Sequence, residues 1–159
     1  MKQLPGHHRH KWSAAALLLG SLCVWHTVLA INDIRVSNAW INEAPPGVSI
    51  MGGYLSITNN TSHALVLTGV TSPCFEKIEF HVTEIKDGVS AMRRLESIPI
   101  PAGSDFSFTP GHYHLMLMNQ TRLLAAGDSV PLTLHFAEGG PLQVMAEVRR
   151  GTTPSHQHH

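Results

Sequence analysis

Residues 112–118 read His-Tyr-His-Leu-Met-Leu-Met, so every second side chain in this stretch is a histidine or a methionine. Alternation at period two is typical of a β-strand, because successive side chains of a strand point to opposite faces of the sheet. His114 and Met116 would then project from one face, with their Cα atoms about 6.5–7 Å apart. The stretch therefore predicts a strand whose imidazole and thioether groups can converge on a single ion.

The rest of the body alternates in the same way. Five further short segments are typical of strands, at 54–58, 64–67, 77–82, 130–136 and 143–148. Turn residues divide the strands, for example at 59–60 and 99–103, and only 122–126 is compatible with a helix, of about one turn. Strands separated by turns, without a long helix, predict an all-β fold, either an antiparallel β-sandwich or a barrel with Greek-key connections.

Two more candidate ligands flank the Asp-Gly pair at 87–88. This dipeptide is a strong signal for a two-residue type I′ hairpin. If these residues form the turn, Thr83 faces Met92 and His81 faces Arg94. His81 and Met92 then lie on the same face as diagonal neighbours, about 7–8 Å apart and within reach of long side chains. Each of two strand segments thus offers one histidine and one methionine.

The candidate metal site consists of His81, Met92, His114 and Met116. Ten residues separate the first pair, twenty-one separate Met92 from His114, and one separates the last pair. Soft sulfur together with imidazole selects Cu(I) over hard cations. Thioethers also keep their metal-binding form in an oxidising compartment, where paired thiols would form disulfides. No carboxylate or nucleophile belongs to the set, so we expect metal carriage and no enzyme activity.

Several alternatives remain open at this level. A single methionine is usually core filler, and a structural or adhesive sandwich with incidental histidines and methionines would bind no Cu(I). Cys74 raises a blue-copper alternative, with two His, one Cys and an axial Met. No His-Met pair follows Cys74 closely, so a small buried apolar role is favoured for it.

Three further side chains are candidates for accessory roles around the site. His112 and Met118 share the parity of His114 and Met116. We expect His112 to be at most a fifth ligand at the rim and Met118 to pack beneath the site. Met51, in a glycine-rich segment, could approach the site, but nothing in the sequence requires it.

The first thirty residues have the three-part pattern of a secretory signal peptide. A basic segment at 1–11 precedes an apolar stretch from Trp12 to Ala30, which ends on residues suited to cleavage. A retained membrane anchor is the alternative, because the stretch approaches the ~20 residues that span a bilayer. Cys23 follows Leu22, where a lipoprotein signal would have a small residue, so lipidation is not expected.

Cleavage after Ala30 would divide the chain into a leader, a copper-binding β-sandwich domain at 31–150 and a flexible tail at 151–159. The whole chain has 11 basic and 11 acidic residues, and removal of the leader makes the remainder mildly acidic. Without a basic patch, nucleic-acid binding is not expected. Only Cys74 of the 2 cysteines would remain, so no internal disulfide can form. We expect a monomer in the periplasm without stable membrane insertion.

The tail is rich in histidine. His156, His158 and His159 could hold a borderline ion such as Cu(II) or Zn(II). A remnant of an expression tag is the alternative explanation, although the His-Gln-His-His pattern is not a regular histidine run.

The spacing His81-x10-Met92-x21-His114-x-Met116 resembles that of the PCu(A)C family of periplasmic copper chaperones. The surrounding sequence is similar at 87–89, 98–103, 111–118 and 127–134, so the resemblance covers about 34–148. It implies a cupredoxin-like β-sandwich that binds one Cu(I) at an exposed site through these four residues. It also implies copper delivery to the dinuclear centre of cytochrome c oxidase subunit II, alongside a Sco-type protein. A periplasmic copper buffer or resistance protein without a dedicated acceptor is the alternative.

Overall fold

The computed structural model describes residues 33–151, which contain ten β-strands and no α-helix. The strands are β1 (Ile34–Asn42), β2 (Ile50–Asn59), β3 (Leu65–Thr71), β4 (Phe75–Lys86), β5 (Val89–Leu95), β6 (Ile98–Ile100), β7 (Ser104–Phe108), β8 (Tyr113–Gln120), β9 (Ser129–Phe136) and β10 (Leu142–Arg149). Along β2 and β9 buried side chains alternate with more accessible ones, as period two requires for a strand with one face on a core.

These strands form one sheet in the order β5-β4-β8-β2-β1-β10-β9-β3-β6, and β7 pairs with β2. Neighbouring strands are antiparallel except for β1 and β10, which run parallel. The order ends at β5 and at β6, so the sheet is open and folds over on itself as a sandwich instead of closing as a barrel. Neighbours such as β4 and β8 are far apart in the chain, which confirms the expected Greek-key connections.

The core lies between the two halves of the folded sheet. Phe80, Leu115 and Leu117 come from one half, and Leu67 and Leu134 come from the other; all are buried in one cluster. Fully burying a side chain of this size stabilises the fold by about 1.5–3 kcal/mol. Because the inner faces of β4 and β8 are used by this core, the side chains of opposite parity on these strands face outward.

The β4–β5 hairpin has the predicted register. Thr83 pairs with Met92, and His81 pairs with Arg94. Asp87 and Gly88 have φ angles of 53° and 77°. Positive φ at both central residues is what a type I′ turn requires, and glycine and aspartate accept that conformation more readily than most residues.

The sequence patterns missed β1, β6 and β7. In β1 the residue Asn38 has φ 52°, and the pairing with β2 shifts between Ser37 and Trp40. This bulge adds a residue to the strand, so the alternation changes parity halfway and the period-two signal is lost. The other two strands span only 3 and 5 residues, too few for a clear pattern.

Two local expectations were wrong. Residues 122–126 form a bend and an irregular segment that leads into a turn, instead of a helix. There Asp128 Oδ2 accepts hydrogen bonds from the Ala125 N–H at 3.0 Å and from Arg122 at 3.3 Å. Pro99, expected in a turn, lies within β6 and pairs with Val66. Strand β6 is the last in the sheet order, and an edge strand tolerates a residue without an N–H.

Within residues 33–151 no helix is long and apolar enough to cross a membrane. The expected signal peptide at 1–30 lies outside the residues that the structure describes. The same holds for the candidate ligands of the tail, His156, His158 and His159.

Candidate metal site

The two candidate histidines lie opposite each other on adjacent strands. In the β4–β8 ladder, His81 pairs directly with His114, and their ring centroids are 5.9 Å apart. Both side chains point away from the core, because Phe80 and Leu115, their neighbours in sequence, are buried on the inner face. The antiparallel register thus brings together two imidazoles that are 33 positions apart in the chain.

The two methionines complete a group on the same outer face. Met116 lies two residues beyond His114 on β8, and Met92 is diagonal to His81 across the hairpin. Met92, His114 and Met116 line a shallow depression of about 200 Å³, together with Ile50, Met51 and Gly52 of β2. The structure therefore brings all four predicted residues together on the outer face of three strands, with His81 beside His114 but not in the lining of the depression.

The carboxylate of Glu79 contacts one ring nitrogen of His81. The ring Nε2 of His81 and Oε2 of Glu79 are 2.9 Å apart. The other ring nitrogen of His81, Nδ1, is buried and has no hydrogen-bond partner in the described part of the chain. A buried polar atom without a partner is uncommon in folded proteins and calls for an explanation. Here that atom lies on the ring that faces His114.

Glu79 is itself held by cations. Its Oε1 lies 2.6 Å from Lys77 Nζ and 3.4 Å from Arg94 Nε. Hydrogen bonds from His81 and then from Lys77 lower the pKa of the Glu79 carboxyl to about 2. The carboxylate is therefore ionised at physiological pH and faces the ring nitrogen of His81 as an acceptor.

The sequence patterns did not single out Glu79, although a signal for it was present. Glu79 lies two residues before His81 in the predicted strand 77–82, so both side chains must share a face. Metal-bound histidines commonly donate their second N–H to a carboxylate or a backbone carbonyl. A search for an acceptor two residues away along the strand would have found it.

The second histidine is oriented by the backbone. His114 Nδ1 lies 3.1 Å from the carbonyl oxygen of His112. The same carbonyl accepts the N–H of Thr83 on β4, at 3.1 Å. Because a carbonyl oxygen can only accept hydrogen bonds, Nδ1 of His114 is the donor and Nε2 is left free.

An aromatic group borders the site on the side of β2. Gly52 pairs with Met116, and a Cβ atom on Gly52 would lie 2.7 Å from Tyr54 Oη. The absence of a side chain at 52 therefore makes room for the Tyr54 ring beside the depression. Tyr54 packs on Trp40 with ring centroids 4.4 Å apart, and burial raises the pKa of the Tyr54 hydroxyl.

Of the three accessory residues, Met118 is placed differently from what the sequence suggested. Met118 does not pack beneath the site; it lies on the outer face, two residues beyond Met116, where it pairs with Ile50 and Lys77. Met51 is buried against the core and also lines the depression, so it approaches the site, as the sequence allowed. His112 is exposed and precedes β8, so a rim position for it stays a prediction.

Cys74 is far from the four candidate ligands. It is buried, as expected, and immediately precedes β4, at the end where Phe75 pairs with Gln120. His81 lies seven residues further along the strand direction, about 23 Å at 3.3 Å per residue. The blue-copper alternative, which needs Cys74 beside the histidines, is therefore wrong.

The donor set fits a soft cation. Two imidazole nitrogens are free of hydrogen bonds, and two thioethers lie on the same surface. Within residues 33–151, no three or more His, Cys, Asp or Glu side chains come together in a way that could hold a metal ion. A site with three or more side-chain ligands on this face would then include a thioether, and thioether with imidazole is a donor set suited to Cu(I).

The chain is similar to known proteins in both sequence and structure. A sequence model of the LpqE-like family, described as "Putative lipoprotein LpqE-like", matches residues 34–148. A relative from Leifsonia xyli subsp. xyli (strain CTCB07), named "Putative lipoprotein Lxx21020", is 31% identical over 146 residues. That alignment covers 86% of this chain and 87% of the relative.

Similar solved structures are PCuAC domains and a related protein. The copper-bound PCuAC domain from PmoF2 has a TM-score of 0.66 at 23% identity, covering 77% of this chain and 97% of that domain. The solution structure of CuI-DR1885 from Deinococcus radiodurans has a TM-score of 0.60 at 26% identity, covering 72% of this chain and 76% of that protein. These likenesses confirm the expected cupredoxin-like, all-β fold class.

Proposed function

The chain belongs to the LpqE-like family, and we propose that it is an exported copper carrier that binds one Cu(I) through His81, Met92, His114 and Met116. The observation that carries this proposal is the pairing of His81 with His114, with both methionines on the same outer face. Two similar structures, the PmoF2 domain and CuI-DR1885, are described as copper-bound, which supports the same cargo here.

The position of the site suits transfer better than permanent storage. The Met92 side chain is 57% exposed on the edge strand β5, whereas His81 is only 12% exposed. A ligand from an acceptor protein can therefore approach from the side of Met92 and displace its thioether while the histidines still hold the ion. No group at the site is arranged as an acid, base or nucleophile toward a substrate, so carriage is the proposed activity and catalysis is not.

An anaerobic Cu(I) titration against a chromophoric competing chelator tests the site. The mature protein should bind one Cu(I) tightly, and Met92→Leu/Met116→Leu should abolish this binding while leaving the fold intact. Met145→Leu is the matched control, because Met145 is 59% exposed on β10 and not part of the depression. Equal binding in the double variant would rule out the proposed ligand set.

The acceptor is the dinuclear copper centre of cytochrome c oxidase subunit II or a Sco-type copper protein. This part of the proposal comes from the resemblance of the ligand spacing to PCu(A)C chaperones. The Cu(I)-loaded protein is mixed with apo subunit II, and the two proteins are then separated by chromatography. Copper should be found in the subunit II fraction. Tight binding without transfer to either acceptor would favour the alternative, a copper buffer or resistance protein.

The histidine tail can be tested separately. We propose that His156, His158 and His159 bind Cu(II) or a second copper ion before transfer. Deletion of the residues after Gly151 should lower the Cu(II) stoichiometry and leave Cu(I) affinity unchanged. Unchanged Cu(II) stoichiometry would remove the tail from the proposal.

The proposed location is outside the cytoplasm, in the periplasm, after cleavage of the leader at Ala30. Both the family and the relative carry lipoprotein in their names, which supports export and makes lipidation at Cys23 the alternative route. Intact mass measurement of the protein from its native membrane and soluble fractions separates the two. A mature start at Ile31 supports cleavage, and a lipid-modified Cys23 at the N-terminus contradicts it.

A further inference from the structure

We propose that Glu79 is a positioning residue that makes His81 bind the metal through Nδ1, whereas His114 binds it through Nε2. This inference rests on the proposed function and deepens it, because it assigns the ligating nitrogen of each histidine. It also assigns a role to a carboxylate that is not itself a ligand.

The geometry around His81 leaves one assignment for a neutral ring. A neutral imidazole carries a single N–H, and an ionised carboxylate can only accept hydrogen bonds. Since Nε2 lies 2.9 Å from Glu79 Oε2, the proton is on Nε2. The lone pair is then on Nδ1, the buried atom that has no hydrogen-bond partner among residues 33–151. A bound metal would satisfy that atom.

His114 has the opposite assignment for a different reason. Its Nδ1 donates to the carbonyl oxygen of His112, so its lone pair is on Nε2. The orienting group here is part of the main chain and is tied into the sheet by the N–H of Thr83. A side-chain substitution cannot remove it. Of the two histidines, only His81 therefore depends on a replaceable side chain for its orientation.

The contacts of Glu79 restrain its side chain next to His81. Its side chain is 12% exposed, and Lys77 and Arg94 contact its second oxygen, Oε1, leaving Oε2 for His81. Glu79 also pairs with Met116 in the β4–β8 ladder, so it lies next to the candidate ligands without being one of them. This arrangement matches the carboxylate–histidine–metal pattern, in which the outer partner sets the tautomer of the ligand.

The test uses the mature protein labelled with ¹⁵N in its histidines and long-range ¹H–¹⁵N NMR. In the apo protein we expect an Nε2–H tautomer for His81 and an Nδ1–H tautomer for His114. After one equivalent of Ag(I), a soft diamagnetic substitute for Cu(I), silver–nitrogen coupling should appear at Nδ1 of His81 and at Nε2 of His114. The apo measurement needs no bound metal, so it stands apart from the proposed function.

Glu79→Gln is the critical variant and Glu84→Gln is its control. The amide of glutamine can donate as well as accept, so His81 should populate both tautomers and Cu(I) affinity should fall roughly 10–100-fold. Glu84 is on the same strand and is ion-paired with Arg93 at 2.7 Å, but it does not contact a candidate ligand. Its replacement should change neither the tautomers nor the affinity.

The possible results separate the two proposals. Silver coupling at Nε2 of His81, or an unchanged His81 tautomer in Glu79→Gln, overturns the role of Glu79 and leaves copper carriage standing. Absence of silver binding to the wild-type protein overturns both. If Glu79→Gln does not fold, the tautomers and couplings of the wild-type protein decide the assignment.

Discussion

At the scale of single residues, odd or even position along a strand decides whether a side chain is buried in the core or faces outward. On β8, Leu115 and Leu117 are completely buried, while His114 and Met116 face outward beside His81. Because the side-chain period is two, a slip of one residue would exchange these sets. The packing that stabilises the core thus also determines which groups reach the metal surface.

Gly52 and Tyr54 give a residue-scale prediction. Because a Cβ at 52 would lie 2.7 Å from Tyr54 Oη, Gly52→Ala should displace the Tyr54 ring and lower the free energy of unfolding. Part of this cost should disappear when Tyr54→Phe removes the hydroxyl. Urea unfolding of the two single variants and the double variant should give a coupling of about 0.5–3 kcal/mol. Additive effects would mean that the two residues do not interact.

Asp128 gives the fold a turn that is sensitive to acid. Hydrogen bonds from the Ala125 N–H and then from Arg122 lower the pKa of the Asp128 carboxyl below its ordinary value of 3.8. A carboxyl with a lowered pKa stabilises the fold fully above its unfolded pKa, and this stabilisation is lost as pH falls through the folded value. Asp128→Asn should therefore destabilise the protein at neutral pH and not in strong acid. Urea unfolding at both pH values checks this, and an equal deficit at both would contradict it.

At the scale of elements, the β4–β5 hairpin connects the turn at 87–88 to the most exposed ligand. Its register fixes Met92 opposite Thr83 and diagonal to His81. Among residues 33–151, strand β5 is an edge strand that pairs with β4 alone, so its position depends on this turn and this ladder. The hairpin is consequently the part of the site that can move most easily when an acceptor approaches.

Gly88→Ala tests this dependence. Gly88 has φ 77°, where an L residue with a side chain is strained by about 1–2 kcal/mol. The variant should lose about that much unfolding free energy and should bind Cu(I) more weakly, because Met92 is displaced. Gly140→Ala is the control, since Gly140 is outside the left-handed region and has open space around it. Equal Cu(I) affinity in the two variants would show that Met92 does not depend on the turn.

At the scale of the whole molecule, the folded sheet supplies a rigid support beneath an exposed site. Leu117 lies between Met116 and Met118 on the opposite face of β8 and is completely buried. Asn59, fully buried at the end of β2, adds hydrogen bonds to the carbonyls of Ile100 and Pro101, joining the two halves of the sheet. The support therefore combines apolar packing with a buried polar connection.

Leu117→Ala tests how much the core packing beneath the site contributes to the free energy of unfolding. Truncation of a fully buried leucine should cost about 2–5 kcal/mol of unfolding free energy, because it removes apolar contacts and leaves a cavity. Leu123→Ala makes the same chemical change at a side chain that is 89% exposed, and it should stay within about 0.5 kcal/mol of the wild type. Urea unfolding of both variants provides the comparison. Similar losses would contradict the position of the core.

Much of the candidate site could be predicted because the relevant signals are local. The pairing of Thr83 with Met92 follows from the Asp-Gly turn, and the shared face of His114 and Met116 follows from their spacing. The pairing of β4 with β8 has no local signal, since two strands 33 positions apart meet only when the core forms. The hydrogen bond to Glu79, the outward position of Met118 and the distance of Cys74 from the site all depend on that pairing.

By itself the sequence determined the all-β class, the type I′ hairpin and the set of neutral soft donors, because each follows from spacing and side-chain chemistry within a short segment. The tertiary structure alone decided that the sheet is open and that His81 faces His114. It also decided that one nitrogen of His81 contacts Glu79 while the other has no hydrogen-bond partner in the part of the chain that the structure describes. The physical reason is that burial and non-local strand pairing are settled together when the sheet folds over its core, and no local pattern encodes either.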